Sequence, residues 1–394
     1  MSKDSVTRID TFRVLLVATV ALAASGGFFG RVNERKILTD FHPAVAAAAI
    51  FVLLLLRSLL PQTKDSPTNS LCFSRSFRKT LPDVTALILL SLLSLIHGSD
   101  ISGAILFLLA AIGFLSGRFC KDRDAVRKGL LAGITLLSLQ AFYQRWYLFP
   151  RLLPHLAGEA HGRIASGRVF ASFITPGLFS AALATALPVA VSSHLTKKRS
   201  GTLLVMLLLL ALALTKSFVG IVAAGVAILY LFGTPRALFS TILFFALLSL
   251  YPLATRPELH HLISSGNPVT LRFFTWKTTV IAGFEAPLFG HGGGSFALLY
   301  PNRIYSPPAD LTLHPHNWPV LIFFEHGIFG LILWLLPLRH LTRAADDRSL
   351  RAAALAFLIA SLVDIVSSSF TLVLLGYFLF GASLPESPTR KNVR

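Results

Sequence analysis

Two histidines within six residues, Leu313-His314-Pro315-His316-Asn317-Trp318, form the sharpest chemical string in the chain. Unperturbed imidazole titrates at about pH 6.5, so it can take a proton from a hydroxyl at neutral pH. Asn317 beside it can orient a ring or a sugar by hydrogen bonding. Leu321, Glu325, Gly327 and Gly330 follow. A carboxylate some two turns into an apolar helix is costly to bury and marks a candidate functional position. Two other readings stay open. His314 and His316 can be interfacial polar residues, or zinc ligands with His260, His261 or His291, although no carboxylate or cysteine completes a familiar metal spacing.

A second string runs Arg272-Phe273-Phe274-Thr275-Trp276, then Pro287-Leu288-Phe289-Gly290-His291-Gly292-Gly293-Gly294-Ser295-Phe296. Arg272 offers a forked cation for phosphate, and consecutive glycines leave backbone N–H groups free to form an anion-binding nest. No Gly-Lys-Ser/Thr follows, so this is not a P-loop. A third string, Arg168-Val169-Phe170-Ala171-Ser172-Phe173-Ile174-Thr175-Pro176, supplies another guanidinium. Two guanidiniums and an imidazole facing one compartment suit a diphosphate headgroup; a plain headgroup anchor is the alternative.

The elements that must position these groups are membrane helices. The chain has 394 residues, 54% hydrophobic and 14% charged, with a mean hydropathy of +0.69; soluble domains carry about 25% charged residues. About twelve apolar runs approach the roughly 20 residues a spanning helix needs: Arg13–Gly30, Pro43–Leu60, Pro82–Gly98, Ile101–Arg118, Gly129–Phe149, Val169–His194, Leu203–Leu214, Ser217–Phe232, Ala237–Ala254, Asn317–Pro337, Arg351–Phe370 and Thr371–Leu384. The expected fold class is all-α, a polytopic integral membrane protein forming a single transmembrane domain over 1–394. One long extracytoplasmic loop, 255–316, holds a helix at Thr270–Gly283. A shorter outside loop covers Pro150–Arg168, and Pro61–Leu81 reads as a flexible cytoplasmic loop. The first hydrophobic segment reads as an uncleaved helix rather than a signal peptide.

The net charge of +18 reflects placement, not nucleic-acid binding. With the N-terminus in the cytoplasm and sides alternating, about two thirds of the Lys and Arg residues fall inside, as the positive-inside rule requires. Both termini are then cytoplasmic. Arg31, Arg35, Lys36, Arg145, Arg151, Arg163, Arg168, Lys216, Arg256, Arg272, Lys277 and Arg303 defy that bias and are candidates for a ligand. Cys72 and Cys120 fall in expected cytoplasmic loops and form no disulfide framework.

Taken in order, these strings resemble the O-antigen ligase / O-antigen polymerase superfamily of bacterial membrane glycosyltransferases. The resemblance runs from Gln140 to about Leu384. It includes Gln140 and Gln144; Arg168-Val169-Phe170 with Phe173 and Pro176; Thr215-Lys216-Ser217; Arg272 to Trp276; Pro287 to Gly292; and His316-Asn317 with Leu321, Glu325, Gly327 and Gly330. A closing helix pair carries Asp364. The family often has Ser-Arg-Gly where this chain has Ser217-Phe218-Val219, so that arginine's role is absent or taken by Lys216.

The resemblance implies a GT-C-like enzyme of the bacterial inner membrane, with its site facing the periplasm. It would transfer a glycan from undecaprenyl diphosphate to a sugar hydroxyl of lipid A–core, with inversion and with no metal or cofactor. Arg168 and Arg272 would bind the donor diphosphate, and His316 would be the general base. His314, Asn317, Lys216 and Glu325 would contact substrate. Expected partners are the lipid-linked donor, the lipid A–core acceptor and membrane lipids, with no nucleic acid. A polymerase joining lipid-linked repeats is the nearest alternative. A transporter or flippase of an anionic lipid-linked substrate is a further one; it calls for inverted repeats and broken helices, neither of which is visible in the sequence.

Overall fold

The computed structural model describes residues 3–24, 41–59, 67–97, 101–196, 198–233, 235–256, 259, 267–303, 312–342 and 347–385. Among these residues the chain is all-helical, with no strand. The helices in order are α1 (Lys3–Ala24), α2 (Phe41–Leu59), α3 (Pro67–His97), α4 (Ile101–Phe119), α5 (Arg123–Tyr143), α6 (Phe149–Leu152), α7 (Gly158–Ala165), α8 (Pro176–Thr196), α9 (Lys198–Thr215), α10 (Phe218–Phe232), α11 (Pro235–Thr255), α12 (Pro268–Gly283), α13 (Ser295–Leu299), α14 (Trp318–Leu338), α15 (Arg348–Ser361) and α16 (Phe370–Ala382).

Five helical segments among the described residues are long and apolar enough to cross a membrane: Phe77–Ile96, Ile101–Phe119, Arg123–His155, Pro176–Ser193 and Trp318–Leu341. Shorter apolar stretches lie in α1, α2, α9, α10, α11 and α16. The helical membrane architecture is thus as expected, while a count of about twelve spans exceeds the five that meet the length.

Helix α16 lies at the centre, buried from Phe370 to Ala382. Helix α4 meets it closely, because Gly113 and Gly117 sit against the backbone of Leu374 and Phe378, and Gly381 against Phe114. Between membrane helices, small residues that let backbones approach take the place of a hydrophobic driving force. Several helices start on side-chain caps that satisfy otherwise orphaned N–H groups. Asp122 caps α5, Asn267 α12, Asn317 α14, Asp347 α15 and Ser369 α16.

Three expected boundaries are corrected. The segment read as a loop over Pro61–Leu81 is helical from Pro67, with Cys72 inside it. Phe73, Phe77 and Leu81 recur every four residues, and this helical period outweighs the Pro and Ser content. The span Val169–His194 is helical only from Pro176, because a residue preceding proline disfavours the helical region. Arg351–Phe370 stops at Ser361. Beyond it Ile365 N–H donates to Asp364 Oδ1 (2.8 Å) and Ser368 Oγ to Ile365 O (2.8 Å), side-chain bonds that compete with the helix. In the long loop, the helix expected over Thr270–Gly283 is α12, while His260 and His261 lie outside the described residues.

Candidate functional site

At one end of the bundle, the C-termini of α5, α9 and α11 meet the N-termini of α8 and α14 and the turn between α15 and α16. Asp364, in that turn, is the centre of the arrangement. His316 Nδ1 lies 3.2 Å from its Oδ1, and a guanidinium nitrogen of Arg272 lies 3.8 Å from the same oxygen. The other carboxylate oxygen abuts Gly177 in the first turn of α8, where any Cβ would overlap it.

Burial alone would raise the Asp364 carboxyl. The hydrogen bond from His316, the Arg272 charge and the Ile365 N–H outweigh it and hold the group below the usual carboxylate range. An ionised carboxylate only accepts, so His316 Nδ1 is the donor. The neutral ring then carries its lone pair on Nε2, the arrangement of a general base. Asp364 is 5% exposed at its side chain, His316 22% and Arg272 29%. The acceptor is therefore buried while the imidazole and guanidinium reach solvent. Trp276 Nε1 donates to Pro315 O (2.6 Å), tying α12 to the residue before His316.

The second group is built on a non-helical strap from Arg168 to Thr175. Gln144, in the π-turn after α5, grips it: Nε2 donates to Ala171 O (2.7 Å), while Oε1 accepts from Ala171 N–H (2.9 Å) and Phe170 N–H (3.3 Å). Arg168 Nε donates to Thr215 O (3.0 Å), and Lys216 Nζ to Ser166 O (3.0 Å). Arg256 donates to Lys216 O (3.3 Å). The two groups are close neighbours. Ser217 Oγ accepts from Ser180 Oγ (3.0 Å), one turn along α8 from Gly177, which touches Asp364.

Among the described residues, the non-glycine residues with positive φ are Ala171 (50°), Lys216 (50°) and His316 (54°). All three are in these two groups. Such conformations cost about 1–3 kcal/mol each and persist where the surroundings impose them.

The remaining sequence candidates are differently placed. His314 is partly buried, and burial together with neighbouring His316 pushes its imidazole down to about 4. Asn317 spends its side-chain oxygen on Val320 N–H (3.0 Å) as the α14 cap, so it has only amide donors to offer a ligand. Glu325 is buried roughly 12 Å along α14, where its carboxylate accepts from Phe296 N–H (3.3 Å). The structure does not bring it to His316.

Two sequence expectations around Glu325 are overturned. Helix α14 is broken at Gly327 (φ 63°, ψ −162°), so a broken helix is present. Gly292, the first of the consecutive glycines, does not have its N–H free for a nest. His291 N–H donates to Phe324 O and Gly292 N–H to Glu325 O (both 2.9 Å), while Ile328 N–H donates to Pro287 O (2.8 Å) and Phe329 N–H to Leu288 O (3.2 Å). The segment 287–292 thus satisfies the backbone groups that the break exposes, as apolar surroundings demand. His291 Nε2 donates to Ala282 O (2.9 Å), and no three metal-ligand side chains cluster among the described residues.

In the sequence Asp364 stands out only as part of the closing helix pair, with nothing to link it to His316 and Arg272. Sequence reasoning gave Gln144 no role and left Arg145 and Arg256 in a roll of misplaced cations. The available signals were the polar side chain of Gln144 in an apolar run and the topological bias those arginines defy.

Residues 201–335 match the family model described as O-antigen ligase, which bears out the resemblance over that stretch. The match spans α9 to α14 and contains Lys216, Arg272, His314, His316, Asn317 and Glu325, with Arg168 and Asp364 beyond its limits. It supports a membrane enzyme of the glycosyltransferase type, acting as an O-antigen ligase or polymerase. None of the curated proteins matches the chain.

Proposed function

On the match of residues 201–335 to the O-antigen ligase family model, we propose an inverting glycan transfer on the periplasmic side of the bacterial inner membrane. The donor is a glycan on undecaprenyl diphosphate, and the acceptor is a sugar hydroxyl of lipid A–core. The observation that carries this reading is His316 Nδ1 held on Asp364 Oδ1 beside Arg272.

His316 Nε2 takes the acceptor's hydroxyl proton as the oxygen attacks the anomeric carbon. The bond from that carbon to the diphosphate oxygen breaks, and the diphosphate leaves with the electron pair. Arg272 and Arg168 hold the negative charge that develops there, with Lys216 beside Arg168. Asp364 fixes the tautomer and stabilises the imidazolium once it forms. Here Lys216 stands in for the family's arginine.

The test is reconstitution of the purified protein with undecaprenyl-diphosphate glycan, offered separately with lipid A–core and with itself. Product only on lipid A–core supports the ligase, and product only with the lipid-linked glycan supports the polymerase. Absence of both products rejects the reading. Loss of activity in EDTA that returns with a divalent ion would favour metal chemistry instead.

A further inference from the structure

The strap from Arg168 to Thr175 is short and non-helical, and a group of the proposed site lies at each end of it. Arg168 opens it. Pro176 and Gly177 follow it, and Gly177 abuts a carboxylate oxygen of Asp364. A segment outside a helix must find partners for its backbone elsewhere. Its first two residues lean on the end of α9: Arg168 Nε donates to Thr215 O (3.0 Å) and Val169 N–H to Leu214 O (3.2 Å). The next two lean on one side chain at the end of α5. Gln144, 5% exposed, meets Phe170 and Ala171 with three hydrogen bonds, using both its donor and its acceptor.

Those bonds hold the strap where its backbone is strained. Ala171 has a φ of 50°, a conformation that an alanine keeps only where its surroundings impose it. Gly167, on the other side of Arg168, also has positive φ (66°). The Arg145 guanidinium packs against it, 3.3 Å from where a Cβ would stand. Gln144 and Arg145 are the first two residues of one π-turn, a feature frequent at functional sites. The π-turn therefore touches the chain on both sides of Arg168. Without the Gln144 amide, two N–H groups and a carbonyl would lose a partner at a buried place, and Ala171 would relax toward negative φ.

We infer that Gln144 is a positioning residue for the transfer: by holding Phe170 and Ala171 it sets where the Arg168 guanidinium stands relative to Asp364 and His316. Gln144 touches neither substrate. It acts through Arg168, three residues from the backbone it clamps, and so on the grip of the donor diphosphate. The inference rests on the transfer reading, which is what gives Arg168 a donor to hold.

The experiment is a double-mutant cycle on the full protein in nanodiscs, with Gln144→Leu, Arg168→Ala and the double variant. Leucine fills the space of the amide without its hydrogen bonds. Two quantities are read on each protein: equilibrium binding of undecaprenyl diphosphate, and transfer kinetics at varied donor and varied acceptor. A misplacement of about 1 Å can cost on the order of 10²-fold. Gln144→Leu should thus lower kcat/KM for donor by about 10–10²-fold and weaken undecaprenyl diphosphate binding, with the KM for acceptor unchanged. Added to Arg168→Ala it should cost nothing more, because the group it acts through is gone. An amide that merely holds the fold gives losses that multiply, and multiplied losses would overturn the proposal. So would a Gln144→Leu protein that binds undecaprenyl diphosphate as the wild type does, or one whose defect lies in acceptor KM alone. Gln144→Asn, an amide one methylene short, enters the same cycle if Gln144→Leu does not accumulate. If the wild type binds undecaprenyl diphosphate but transfers to neither acceptor, the transfer reading fails while the binding cycle still decides the role of Gln144.

Discussion

Among the described residues the bundle contains two sets of one Asp, one Arg and one His, and they are built to opposite ends. At the end holding Asp83, each partner has its own oxygen: Arg339 is 3.0 Å from Oδ1 and His340 Nε2 is 2.8 Å from Oδ2. Asp83 is fully buried, and His340 is nearly so. Further side chains bond around them. Arg351 donates to His340 O and to Ser383 Oγ, and Arg127 pairs with Asp347 at 2.5 Å. At the other end, His316 and Arg272 crowd one oxygen of Asp364 at longer range and remain partly exposed. Short contacts, one to each oxygen of a fully buried carboxylate, make a brace even though Arg339 itself reaches solvent. A shared acceptor with two reachable partners leaves a base and a cation able to engage something else.

The largest effect that would break this comparison is topological. We expect the two sets to lie on opposite sides of the membrane. Reporter fusions after Ser264 or Asp310 should report the extracytoplasmic side, and fusions after Asn69, Asp124 or Asp346 the cytoplasm. A cytoplasmic signal from Asp310 would move the His316 set to the wrong compartment for a periplasmic donor.

The next effect is on rate. His316→Ala should lower transfer by about 10²–10⁴-fold, the usual loss for a general base, and unreacted lipid-linked glycan should accumulate. Asp364→Asn should also lower it, since an amide can present a donor to Nδ1 and select the wrong tautomer. His340→Ala should leave the rate per folded molecule intact. A purified-enzyme assay on these three variants and the wild type tests whether the two sets divide labour. Equal losses from His316→Ala and His340→Ala would erase the distinction.

Stability should show the reverse order. Asp83→Asn removes the charge facing Arg339 and leaves one acceptor oxygen for two partners, a cost of about 1–3 kcal/mol where the group left unsatisfied is buried, as His340 is. Its apparent Tm in detergent should drop more than that of Asp364→Asn, whose partners can turn to solvent. A larger drop for Asp364→Asn would make the His316 set the brace.

Neither triad was legible in the sequence, for one physical reason: Asp83 and His340 are 257 positions apart, and His316 and Asp364 are 48 apart. Periodicity within a helix shows which face is apolar but does not reveal which distant helix supplies a partner. What could be read was local. The apolar runs became helices, Asn317 before Trp318-Pro319 is a cap followed by a proline in the first turn, and the span over α12 was placed within two residues of its start. Local reading failed where a tertiary contact replaced the helix. The strap at Arg168 is held by Gln144, and the break at Gly327 is paired by a segment some forty residues upstream. His316 itself was found by residue type and neighbours, whereas its orientation depended on Asp364.

The smallest effect concerns the other histidine of the string and sharpens which imidazole answers to pH. His314 is pushed from 6.5 down to about 4 by burial and by His316. Between those values the unfolded chain binds a proton that the folded chain does not, so stability rises with pH across that window. The contribution of a neutral His314 is fully present above pH 6.5, is lost as pH falls toward 4, and changes no further below. His314→Gln cannot take up that proton, so its stability should fall less steeply than wild type between pH 6.5 and 4 and run parallel to it above pH 7. Thermal melts of both proteins in detergent from pH 4 to 8 make the comparison. Parallel curves through the whole range would show that His314 is protonated as readily folded as unfolded. An acid loss of transfer seen near neutrality in both proteins would then have to come from a group other than His314.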